Sequence, residues 1–190
     1  QALQGLGSGT LEAFELRAAY ERARIARGEV PLAEGGRRVL DVWEDAWLAL
    51  ASGEDGPAAP DRIRILLERA RAQADALHIP EALADLDAVR RTSLPPEGPA
   101  SAPWPAPTPG RLAWYEVGRL RSAAALLDAR LLLSLGDAMA AAAALVTEPP
   151  PVVPYGTDQR AAVRFWLGRA RWEAARPAAA LDAWGGMLRE

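Results

Sequence analysis

The chain of 190 residues has no cysteine, which excludes disulfide frameworks, thiolate metal sites and cysteine nucleophiles. It has a single histidine, His78, so a paired-histidine metal site cannot be assembled within one chain. Lysine and asparagine are also missing, and all 22 basic residues are arginine, a bias that reads as GC-rich coding. Arginine nevertheless differs physically from lysine, because its guanidinium forks onto carboxylates and stacks on aromatic rings. Strand formers are scarce. Val, Ile, Thr, Phe, Tyr and Trp together supply 30 positions, against 42 Ala and 26 Leu, which argues for helices and against a β-sandwich or barrel. No apolar run approaches the roughly 18 residues of a spanning helix. The longest candidate, Ala123–Leu135, is broken by Asp128 and Arg130, so no membrane span is expected.

Net charge is −3, with acids and bases interspersed, which favours neither nucleic acid nor membrane as a general partner. The two ends differ: residues 1–94 carry 12 Arg against 16 acids, and residues 111–190 carry 10 Arg against 8 acids. The chain opens on Gln1, so a trimmed form or a mature form after signal cleavage is expected. The cytoplasm is the favoured compartment and an exported mature form the alternative. Gly5, Gly7 and Gly9 lack the Gly-Lys-Ser/Thr ending of a phosphate loop and read as a flexible lead.

Punctuation along the chain predicts paired helices. Thr10 is a good N-cap, Glu12 and Glu15 follow it, and Arg22, Arg24 and Arg27 precede Gly28, so both helix ends match the macrodipole. A second helix from about Pro31, or from Gly36, presents Val39, Leu40, Trp43, Ala46, Trp47 and Leu50, and Ser52-Gly53 ends it. A third, starting near Asp61, places Ile63, Leu66, Leu67, Ala70, Ala74 and Leu77 on one face. His78-Ile79-Pro80 then turns the chain into a shorter helix, Glu81–Arg91. Residues 95–109 hold seven prolines around Trp104, which no helix survives; a semi-rigid linker or a loop docked through Trp104 is expected. Beyond it, helices are expected over Arg111–Leu135, Ala138–Val146, residues 157–175 and Ala178–Leu188, divided by Gly136-Asp137, Pro149–Pro151 and Arg176-Pro177. The sequence therefore predicts an N-terminal block of hairpins to residue 94, a Pro-rich segment to 110 and a C-terminal block from 111.

The C-terminal block has an internal pattern. Gly136, Ala141 and Leu145 occupy a turn and the helix after it, and Leu167-Gly168, Ala180 and Trp184 form a second set with Ala175 opposite Gly136. This spacing resembles the tetratricopeptide repeat, with an insertion between units at Pro149–Gly156. The resemblance implies an all-α fold of antiparallel hairpins stacked as a right-handed solenoid. In such a fold small residues (Ala141, Ala180, with Gly168 for a close approach) sit where backbones cross, and large ones (Leu145, Trp184) fill the gaps. Residues before 95 show no clean repeat signature.

Candidate chemistry is thin. His78 beside Pro80 reads as a cap or surface residue. Asp41, Glu44 and Asp45 could hold a hard cation, but Arg37 and Arg38 beside them favour a solvated ion-pair face. Trp43 and Trp47 lie on a core stripe. Trp166 and Trp172 are six residues apart and cannot share one narrow face, so at least one is expected to be partly exposed. Arg160, Arg164 and Arg171 form a stripe that could meet carboxylates or phosphates from an exposed face. No catalytic set, metal or cofactor is implied. The expectation is a non-catalytic scaffold that binds a protein or peptide in a helical groove through Arg160, Arg164, Arg171, Trp166 and Trp172. Nucleic-acid or anionic-ligand binding through the Arg stripe, as in the sensing arm of a regulator, is the alternative.

Overall fold

A computed structural model describes residues 9–51, 59–92, 109–147 and 157–187. Eight helices and no strand occur among the described residues: α1 Leu11–Ala26, α2 Leu32–Ala51, α3 Ala59–Asp75, α4 Ile79–Arg91, α5 Pro109–Ser134, α6 Ala138–Thr147, α7 Thr157–Glu173 and α8 Pro177–Met187. The all-α expectation holds, and most ends fall within two residues of those read from sequence. α5 begins earlier than expected, at Pro109, because proline suits the first helical turn, where its missing N–H has no partner to lose. No described helix is long and apolar enough to cross a membrane. Trp104 and the prolines from Pro95 to Pro107 lie outside the described residues, as do Ser52-Gly53 and the insertion before Thr157.

The chain divides into two compact units, residues 1–88 and 89–190, with the boundary inside α4. In the first unit α2 packs on both α1 and α3. Phe14, Val39, Leu40, Trp43 and Ile65 form its core, with Ala18 and Ala46 fully buried among them. Trp43 is buried as expected, although its Nε1 and the Oε1 of buried Gln73 find no hydrogen-bond partner among the described residues. In the second unit α7 packs against both α5 and α6, and α8 packs on α7. Its core is built from small side chains, Ala125, Ala129, Ala141 and Ala170, with Leu145 among them and Leu126, Leu132, Val163, Trp166 and Leu167 around the edge. Buried Asp128 of α5 is held by Arg90 at 2.6 Å, also within this unit.

The four helix–helix turns among the described residues close in the same way. After α1 the Gly28 N–H bonds the Ile25 carbonyl and the Glu29 N–H the Arg24 carbonyl. The same pair of bonds recurs at Leu77 and His78, at Gly136 and Asp137, and at Ala175 and Arg176. The residue at each turn is left-handed, with φ of 71°, 63°, 82° and 57° at Gly28, Leu77, Gly136 and Ala175. This is the Schellman closure, which satisfies carbonyls orphaned at the helix end. Leu77 therefore leaves the α3 apolar face on which the sequence placed it and is 82% exposed: the reversal of φ swings it off the helical stripe.

The following helix also starts in a fixed register. Ala82, Ala141 and Ala180 donate their N–H to the carbonyls of His78, Asp137 and Arg176, and all three alanines are buried. Four residues further on stand Leu86 and Leu145, both buried, and Trp184, half-buried. The first hairpin follows the same rule after two extra turn residues: Gly35 donates to the Pro31 carbonyl, and Val39 is buried four residues later. Seven residues before the last three turns the preceding helices carry buried Ala70, Ala129 and Gly168. Each of these hairpins thus carries buried small residues at matching positions on both helices, and in the last one Gly168 admits the large Trp184 that stands one turn beyond Ala180, a close approach of helix to helix.

Candidate functional site

Helix α7 brings together most of the residues singled out from sequence, with their roles redistributed. Arg160, Arg164 and Arg171 do lie on one stripe, but that stripe runs through Gly168 and faces α8. An added Cβ on Gly168 would stand 2.5 Å from Trp184 Cδ1 and 2.6 Å from Cε2, so the indole of α8 lies directly on the glycine backbone. Trp184 Nε1 donates to the Phe165 carbonyl at 3.2 Å. Arg164 and Arg171, flanking Gly168, donate to the α8 carbonyls of Gly186 and Ala179. All three arginines are half-buried. The exposed cationic face expected from their spacing is therefore corrected: the glycine that admits α8 fixes that side of α7 as the packed side, and two of the arginines satisfy α8 carbonyls there.

The exposed side of α7 carries Phe165, Arg169 and Trp172, spaced four and three residues apart. Phe165 is 46% and Trp172 56% exposed. Trp172 leans on Trp184 with ring centroids 6.1 Å apart, and Phe165 meets Trp166 edge-on at 5.6 Å. Trp166 is half-buried against the core and carries two guanidiniums, Arg130 of α5 at 5.5 Å and Arg169 at 5.3 Å from its ring centre. Arg130 has no carboxylate partner among the described residues, and Arg169 pairs with exposed Glu173 at 2.8 Å. The expectation that one of Trp166 and Trp172 is exposed holds for Trp172. Arg130, Phe165 and Arg169 escaped the sequence reading. The available signal was that Phe165, Arg169 and Trp172 share a helical face opposite Ala170.

A second Arg–Trp cluster lies in the first unit, where Arg62 and Arg69 approach Trp47 at 5.5 and 5.0 Å. There Arg69 is gripped bidentately by buried Asp85, at 2.6 and 2.7 Å. An open cleft between α1 and α2, lined by Arg17, Tyr20, Glu21, Arg38 and Asp41, is likewise closed on its own charges. Arg38 bonds Glu34 at 2.5 Å and reaches Glu21 at 3.9 Å, and Arg17 reaches Asp45 at 3.7 Å. Among the described residues no group of three or more metal-ligating side chains is placed to hold an ion, so Asp41, Glu44 and Asp45 do not assemble one. His78 is exposed, its N–H bonded to the Gln73 carbonyl and its own carbonyl to the Ala82 N–H, which is a capping role. Near the first turn Arg27 Nε donates to Glu29 at 2.5 Å and holds that carboxyl below its ordinary pKa. No catalytic constellation emerges from these groups.

No protein-family model matches the chain, and neither a curated protein nor a solved structure matches it.

Proposed function

We propose that the chain is a non-catalytic interaction scaffold of tetratricopeptide-like hairpins that binds a peptide segment across the exposed face of α7. The observation that carries this reading is the placement of Phe165 and Trp172, large aromatics left about half in water on one stripe of a helix whose other sides are packed. Large exposed aromatics with an interleaved arginine are the residue types that dominate binding energy at interfaces. The recurring register of left-handed turn, buried small residue and large residue supports the tetratricopeptide-like part of the reading. The position of α7 against both α5 and α6 supports stacking of one hairpin on the previous one within the second unit. The nucleic-acid alternative loses its geometric basis, because Arg164 and Arg171 direct donors at α8 carbonyls.

The test is selection of a random peptide library on the purified chain, followed by counter-selection on a Phe165→Ala, Trp172→Ala double variant. The reading requires enriched peptides that bind the parent and lose most of their affinity for the variant, while circular dichroism shows the variant as helical as the parent. Enrichment of peptides that bind both proteins equally would place the site elsewhere.

A further inference from the structure

From the charges around Trp166 we infer that the α7 face selects an acidic peptide: carboxylates on Arg130 and Arg169, beside an apolar side chain laid on Phe165 or Trp172. This rests on the reading of that face as a peptide site and adds the chemistry of its occupant.

The two Arg–Trp clusters separate a structural arrangement from a receptive one. At Trp47, buried Asp85 binds Arg69 through two short hydrogen bonds, so that guanidinium has its anion built in. At Trp166 the only carboxylate paired with either guanidinium among the described residues is Glu173, an exposed partner one helical turn from Arg169. Surface pairs of that kind contribute little and exchange readily with a competing anion. Arg130 is exposed and has no carboxylate among the described residues. Each guanidinium lies within 5.5 Å of the Trp166 ring centre and is exposed, so an arriving carboxylate can accept charge-assisted hydrogen bonds there without displacing a buried partner.

Charge on the scale of the units points the same way. Residues 1–88 carry 10 Arg and 16 acids, a net charge of −6, whereas residues 89–190 carry 12 Arg and 9 acids, a net charge of +3. The receptive cluster lies in the cationic unit. A long polyanion such as single-stranded nucleic acid could stack on the same aromatics. A chain of net charge −3 opposes a polyanion far more than a single carboxylate, which favours the peptide.

The experiment uses the full chain and three fluorescein-labelled probes: a twelve-residue peptide repeating Gly-Glu-Leu, its Gly-Gln-Leu counterpart, and a ten-residue oligothymidylate. Fluorescence anisotropy is read at low and at roughly physiological salt. The expected result is that the Glu peptide binds roughly tenfold tighter than the Gln peptide at low salt. Arg130→Gln and Arg169→Gln should each remove several-fold of that advantage without changing the Gln peptide's affinity. Phe165→Ala with Trp172→Ala should weaken both peptides. Equal binding of the Glu and Gln peptides overturns the acidic selectivity and leaves the peptide face standing. Oligothymidylate binding with neither peptide bound overturns the inference in favour of nucleic acid. Failure of the Glu peptide to bind at millimolar concentration also overturns it, and the library selection then decides separately whether the face binds peptides at all.

Discussion

Replacing Gly168 by alanine isolates the close approach on which the last hairpin depends. In an exposed helix the change should stabilise by about 1 kcal/mol, because glycine is the poorer helix former. At Gly168 the new methyl meets the Trp184 ring, with Cδ1 and Cε2 at 2.5 and 2.6 Å, so the indole has to move. Overpacking of this kind costs about 1–3 kcal/mol. Moving the ring also breaks the 3.2 Å bond from Trp184 Nε1 to the Phe165 carbonyl, worth about 1 kcal/mol. The balance is a net loss of about 1–3 kcal/mol. For a unit of this size each kcal/mol lowers the midpoint by about 4–8 °C. Gly36→Ala is the internal control, since a Cβ there meets nothing within 4 Å. It should raise stability by up to about 1 kcal/mol through the helix preference alone. Thermal melts of both variants, with near-ultraviolet circular dichroism to report the tryptophan environment, give the comparison. Adding Trp184→Leu to Gly168→Ala should recover part of the loss, a coupling that a double-mutant cycle measures directly. If Gly168→Ala stabilises as Gly36→Ala does, the close approach of α8 to α7 is wrong.

Ala175→Gly and Leu77→Gly should each stabilise by about 1 kcal/mol, because both residues hold a positive φ that glycine adopts freely; urea midpoints of the two variants check this. Asp85→Ala leaves the Arg69 guanidinium with no carboxylate in a largely buried place, and a loss of about 2–4 kcal/mol is expected in chemical denaturation, more than for Asp45→Ala at the exposed Arg17 pair. Arg171→Gln should lower the thermal midpoint by a few degrees, since the Ala179 carbonyl loses its 3.1 Å donor. The Glu29 carboxyl is held below its ordinary value chiefly by the Arg27 hydrogen bond. Its contribution is present above the ordinary carboxyl range and is lost as pH falls through the lowered folded value, so Glu29→Gln should flatten the acid limb of a stability–pH profile slightly.

The helices were legible because their ends carry strong local signals. Thr10 caps α1 through the Ala13 N–H, and Asp137 caps α6 through the Ala140 N–H, as their residue types predict. Gly28 and Gly136 announce their turns, but Leu77 and Ala175 adopt the same left-handed geometry with no glycine to signal it. That is why the recurrence before residue 95 was invisible: its small positions are Gly35 and Ala82, its turns differ in length, and periodicity alone cannot align them. Trp184, expected to fill the gap between helices, is half-buried. The direction of the α7 arginines was misjudged for a different reason. Helical spacing groups Arg160, Arg164 and Arg171 correctly but does not say which side the next helix covers. Gly168 lies on that same stripe, so a close approach at Gly168 and an exposed face at Arg164 and Arg171 could not both hold. The Arg130–Trp166 contact joins two helices far apart in sequence, which no one-dimensional pattern encodes.

The four turns also bear on how the chain reaches its fold. Each hairpin is sealed by bonds between residues three and five apart, and its crossing pairs, such as Gly168 with Trp184, lie only one short turn apart along the chain. Closing so short a loop loses little chain entropy, so a hairpin can form before its neighbours are in place. Folding should then be fast and free to begin at more than one hairpin. Amide hydrogen exchange would show this as protection arriving hairpin by hairpin, with the amides of each turn and of its two flanking helices protected together.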